Sequence, residues 1–177
     1  MFEYEIKRFK RRCCNTDQEF KPGDMYYSAL VEADDHFVRM DFAASAWNGP
    51  PEGAIGWWRC QVAALNPNRA YWAPVQVLLD YFGKLAECPE KRELCYLMAL
   101  VLLRKKILHL VETQCNVEGF AEMLVHATRT NRDFTVRVCD PRREQLEQLQ
   151  NELCEQLFTD QPIEATDAES AEPVEFN

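Results

Sequence analysis

Histidine is scarce in this chain, with three in 177 residues, and the eight cysteines include no C-x-x-C pair. G-x-S-x-G, Walker A, G-x-G-x-x-G and H-E-x-x-H are all missing. Nucleophilic catalysis needs a Ser or Cys beside a base, and the histidines offer little. His109 and His126 fall in predicted strands, where they face each other or solvent. Cys115 and His109 have even spacing on one strand, so they share a face, but they stand about 20 Å apart, too far for a dyad. No long hydrophobic run occurs. The longest, Leu94 to Leu103, has ten residues, and a membrane span needs about 20. The N-terminus, MFEYEIKRFKRR, has acids early and no apolar segment of the signal-peptide kind. A non-enzymatic cytoplasmic protein is the expectation.

The stretch from Thr159 to Asn177 contains no Lys or Arg but six acids. Setting those aside, the formal charge of −9 falls to −3. Net charge therefore gives no reason to expect nonspecific attraction to nucleic acid or anionic lipid. At 47% hydrophobic the chain can bury a sizeable core, and its length suits one domain or one and a half. The cysteines sit inside apolar runs, as Cys95 does in LCYLMAL, and read as reduced, buried thiols.

The predicted elements give an α+β fold. Phe2–Phe9, Met25–Val31 and His36–Phe42 show strand alternation. They form a small antiparallel sheet over residues 1–46, with a turn at Lys21-Pro22-Gly23-Asp24. Residues 47–73 are a connector rich in Gly, Pro and Trp, with a loop at Asn66-Pro67-Asn68 and a short strand near Arg59–Ala63. Residues 74–158 hold a helical pair, a three-strand β-meander and a last helix. Val75, Leu78, Leu79, Phe82, Leu85 and Ala86 mark one face of the first helix. The second runs from about Pro89 to Lys105 and is apolar all round. The meander strands are Ile107–Cys115, Phe120–Ala127 and Phe134–Cys139. Asp140 caps the last helix, with Pro141 at its first position, and Leu146, Leu149, Leu153 and Leu157 form its docking stripe. Residues 159–177 read as an acidic, disordered tail.

The segment Arg12–Ser28 has the layout of half a zinc site. A structural zinc site wants two closely spaced pairs of Cys or His ligands. Here Thr16 stands three residues after Cys13, and Ala43 and Ala46 occupy the corresponding places after the next hairpin. The layout is zinc-ribbon-like with its ligands lost. No cofactor is expected, and the weak alternative for zinc is an irregular set, Cys13, Cys14, His36 and Cys60.

Cys13, Thr16, Pro22-Gly23-Asp24, Tyr27-Ser28, Leu30, Arg39, Asp41, Ala46-Trp47 and Gly49–Trp58 together resemble the pattern of a family of uncharacterised bacterial hypothetical proteins. The resemblance runs to about Phe158. It implies a bacterial origin and this fold layout, and it brings no catalytic residue.

Two surface features carry the functional expectation. Trp47, Trp57 and Trp58 flank the Gly/Pro loop, and tryptophan is enriched at binding hot spots. Equally, such rings plug gaps between a sheet and its helices. The favoured reading is a protein-binding or adaptor module using these three residues. The alternative is a nucleic-acid or ribosome-associated module using Lys7, Arg8, Lys10, Arg11 and Arg12. That basic strip also suits the edge of a small sheet, or holds the acidic tail. A metal- or thiol-dependent regulator is a third class.

Overall fold

A computed structural model of the chain describes residues 11–34, 36–62 and 71–162. The predicted strand Phe2–Phe9, the loop at Asn66-Pro67-Asn68, and Lys7, Arg8 and Lys10 lie outside the described residues, as does the tail beyond Pro162.

The fold is α+β. Strands β1 (Met25–Ala33) and β2 (His36–Ala43) form a hairpin, and β3 (Ala54–Gln61) pairs with the other side of β1. Three short strands flank the helices and the meander: β4 (Tyr71–Trp72), before them, pairs with β8 (Phe158–Thr159), after them, and β9 (Gln161–Pro162) joins the edge of β3. Helices α1 (Val75–Glu87) and α2 (Arg92–Arg104) are the expected pair. The meander consists of β5 (Leu108–Cys115), β6 (Ala121–Ala127) and β7 (Arg132–Arg137), and α3 (Arg143–Leu157) closes the helical layer.

Gly23 takes φ 91° in the Lys21–Asp24 turn, a left-handed conformation that glycine adopts without steric cost. Gly56 is needed for another reason. A Cβ there would come within 3.0 Å of Val77 Cγ2, so its absence lets α1 pack closely on β3. From Cys13 to Leu157 the buried apolar side chains make one continuous cluster. Tyr81, Phe82, Met98 and Leu102 are fully buried within it.

Four expectations are corrected. Residues 54–61 are not connector but a full strand beside β1, because the Gly/Pro turn at 48–53 returns the chain alongside the hairpin. Residues 159–162 do not belong to a disordered tail: Thr159 and Asp160 are 0% and 1% exposed, held by polar partners described below. The last helix is capped by Arg142 rather than Asp140. The Gln145 side chain accepts from the Arg142 backbone N–H at 3.0 Å, the one half of a capping box that an arginine N-cap allows, two residues later than expected. Finally, a bulge between Leu110 and Glu112 shifts the register of β5. His109 then lies opposite His126 and Cys115 opposite Ala121, so the two residues point to opposite faces instead of one.

Candidate functional site: two faces of the N-terminal sheet

Because side chains alternate along a strand, register sorts the residues of this sheet. Three rows face the core: Tyr26–Ala43–Cys60, Ser28–Asp41–Trp58 and Leu30–Arg39–Gly56. The rows Tyr27–Phe42–Arg59 and Ala29–Met40–Trp57 face outward, with Val31 and Val38 beyond them.

The outer face carries four aromatic rings in contact. Trp47 follows a single 3₁₀ turn at Ala44–Ala46 that reverses the chain after β2. Its ring stacks on Tyr27 with centroids 4.7 Å apart and planes within 5°. Phe42 meets the Trp47 ring edge-on at 5.3 Å, and Trp57 lies 5.6 Å from Trp47 and 6.1 Å from Tyr27. Phe42 is buried, Tyr27 and Trp47 are half-buried, and Trp57 is 45% exposed. Val38 is 36% exposed at the far end of the same face.

Trp58 does something different. As the next residue along β3 it points inward and is 1% exposed. Of the three tryptophans singled out in the sequence, the structure brings Trp47 and Trp57 together and places Trp58 in the core. Tyr27 is the partner that was not grouped with the tryptophans. Adjacency on a strand sends Tyr26 and Tyr27 to opposite faces, but that Tyr27 meets Trp47 and Trp57 depends on the path of the chain after β2.

The inner face holds a buried polar cluster. The Arg39 side chain is 5% exposed and pairs with Asp41 at 2.9 Å. It also donates to the Ser28 hydroxyl at 3.0 Å, to Thr159 Oγ1 at 3.4 Å and to the Phe158 carbonyl. Ser28 donates to Asp41 at 2.5 Å. Tyr26 donates to Asp160 at 3.2 Å, and Thr159 Oγ1 lies 2.8 Å from Cys60 Sγ. Burial disfavours the guanidinium charge, but Asp41, by charge and hydrogen bond, together with Tyr26 and Cys60, outweighs it and keeps the Arg39 pKa above arginine's usual value. Burial pushes the Tyr26 phenol and the Cys60 thiol up. These groups hold their protons and fix the chain that follows α3; none is arranged as a nucleophile and base.

Arg11 joins the same cluster, donating to Asp160 at 2.7 Å. Arg12 pairs with Asp17 at 3.2 Å. Two of the five basic residues considered for nucleic acid therefore meet carboxylates of this chain, and one of those carboxylates lies in the former tail.

Cys13 is buried. Burial raises its thiol pKa, but donation to sulfur from the Thr16 hydroxyl and from the backbone N–H groups of Ala43, Thr16 and Asn15 brings the net value below the ordinary thiol. Thr16 and Ala43 thus converge on Cys13 where further ligands would stand in a ribbon. The irregular set is not assembled. Cys14 is exposed, and Tyr26 lies between Ala43 and Cys60 in their row. His36 pairs with Ala33 at the opposite end of the hairpin, over about 20 Å from Ala43 at about 3.3 Å per residue. Among the described residues no group of three or more His, Cys, Asp or Glu is placed to hold a metal ion. No described helix is long and apolar enough to cross a membrane.

Comparison with protein-family models, curated proteins and solved structures gave no match to this chain.

Proposed function

We propose that this chain is a non-enzymatic protein-binding module of the bacterial cytoplasm. Its contact surface is the outer face of the N-terminal sheet, centred on Trp57, Trp47 and Tyr27. The observation that carries this reading is a tryptophan left 45% exposed in a cluster of four rings. A ring held by its neighbours offers a large contact area with little entropy to lose on binding, which is why such residues dominate interface energetics. Met40 and Val38 extend the apolar surface and Arg59 borders it, the arrangement of an apolar centre and polar rim. The partner is a protein segment that places a large apolar side chain against Trp57. A nucleic acid is the less favoured ligand, since Arg11 and Arg12 are engaged within the chain.

The test is capture from native lysate by the immobilised full chain, repeated with Trp57→Ala and Trp47→Ala. A discrete partner lost with both variants, at unchanged circular dichroism, is expected. Equal capture by wild type and both folded variants would remove the reading.

A further inference from the structure

The meander carries a row of ionisable side chains that the proposed binding face does not use. Register sets His109 of β5 opposite His126 of β6, and His126 opposite Asp133 of β7. Directly opposed residues of antiparallel strands project to the same face, with Cβ atoms about 4.5–5.5 Å apart. That face is the solvent side, because the alternate residues Met123, Val125 and Ala127 of β6 are buried. His109 is exposed, and the His126 side chain is 32% exposed. The bulge after Leu110 preserves this row while shifting the rest of β5.

Asp133 Oδ1 lies 2.6 Å from His126 Nδ1. When the neutral imidazole donates its Nδ1 proton to that carboxylate, Nε2 carries the lone pair and is left to accept a ligand. A carboxylate holding the far nitrogen is the common support of a metal-bound histidine, fixing its tautomer and ring orientation. Imidazole nitrogens suit zinc, copper and nickel ions rather than calcium or magnesium.

We propose that His109 and His126 form a surface two-imidazole site for a borderline divalent transition-metal ion, with Asp133 as the positioning residue. The two nitrogens leave coordination positions to water or to a ligand from another molecule. Among the described residues no group of three His, Cys, Asp or Glu is placed to hold a metal ion, so Asp133 supports the pair without completing it, and chelation rests on the second imidazole acting at high effective concentration.

The chain's three histidines provide an internal control, since His36 sits at the tip of the β1–β2 hairpin. The experiment adds Ni²⁺ to the full chain, kept reduced by a non-chelating phosphine, and follows the imidazole C–H resonances. His109 and His126 are expected to broaden together by one equivalent while His36 stays sharp. His109→Asn is expected to weaken Ni²⁺ binding at His126 about tenfold or more, and Asp133→Asn about 10- to 100-fold. Broadening of only one of the pair, equal broadening of all three, or none at tenfold excess would overturn the proposal. If Asp133→Asn does not fold, His109→Asn on the exposed edge strand carries the test alone. Unchanged affinity in that folded variant would also overturn it.

Discussion

Arg39 and Asp41 are two residues apart on β2, so their side chains share the inner face and pair there out of water. The pair is not an efficient source of stability, because two charges had to be desolvated. Breaking it is another matter. Asp41→Asn leaves a buried guanidinium without its counter-charge and is expected to destabilise the fold by about 3–5 kcal/mol, read as a lower urea midpoint at pH 7. Protonation at buried sites sets a second expectation. Burial raises the pKa of Cys60 and Cys95, the latter to about 12, and likewise raises those of Tyr26 and Tyr81. A raised folded pKa means that the unfolded chain gives up protons first as pH rises. For Cys95, stability is fully present below about pH 8.5, the unfolded thiol value, and is lost from there to about pH 12. Each such thiol contributes a slope of up to about 1.4 kcal/mol per pH unit, and the tyrosines add theirs above about pH 10. Urea midpoints that do not fall from pH 7 to about 8.5 and fall steadily above it are expected. Cys13 acts in the lower window, because its pKa is lowered: its contribution grows as pH rises towards about 8.5 and is complete above it.

At the scale of elements, the segment after α3 is the instructive one. Thr159 and Asp160 occupy the centre of the inner-face cluster, and Ala73 N–H donates to the Leu157 carbonyl at 2.8 Å. A chain ending at Leu157 loses Phe158, Thr159 and Asp160, and with them the Phe158 carbonyl and Thr159 hydroxyl that Arg39 meets, the Asp160 carboxylate that Tyr26 meets and the Thr159 hydroxyl beside Cys60. It is expected to be less stable by about 2–4 kcal/mol, measured by chemical denaturation against the full chain. The elements with strong periodicity were legible from sequence: of the expected face of α1, Leu78, Leu79, Phe82 and Leu85 are buried, while Val75 is half-buried, Ala86 is exposed and Val77 and Tyr81 are buried in addition, and the meander strands lie within two residues of their expected starts. What was not legible depended on distant partners. Thr159 and Asp160 look like the start of an acidic tail until Arg11, Tyr26 and Cys60 are seen around them. β3 was obscured because Gly56 weakens strand propensity, yet Gly56 is there to admit Val77. The bulge at Val111 left no local signal and reversed the face assigned to Cys115.

For the whole molecule, the N-terminal sheet has one face in the common core and one face partly in solvent. Alternation decides which residue goes where. Trp57 and Trp58 were expected to act together, and their adjacency on a strand is the reason they do not. The aromatic site is instead assembled across three strands and a turn, from Tyr27, Phe42, Trp47 and Trp57. Any binding role must therefore separate the two tryptophans. Trp58→Ala acts through the core, with a stability loss of about 3–5 kcal/mol, whereas Trp57→Ala leaves the fold intact and removes the contact. The most direct measurement is site-specific photo-crosslinking in cells producing the full chain, with a photoreactive phenylalanine analogue at position 57 and, as control, at exposed position 144 of α3. A discrete protein adduct at position 57 and none at 144 is the expected result; no adduct at 57, or the same adducts at both positions, would contradict the account.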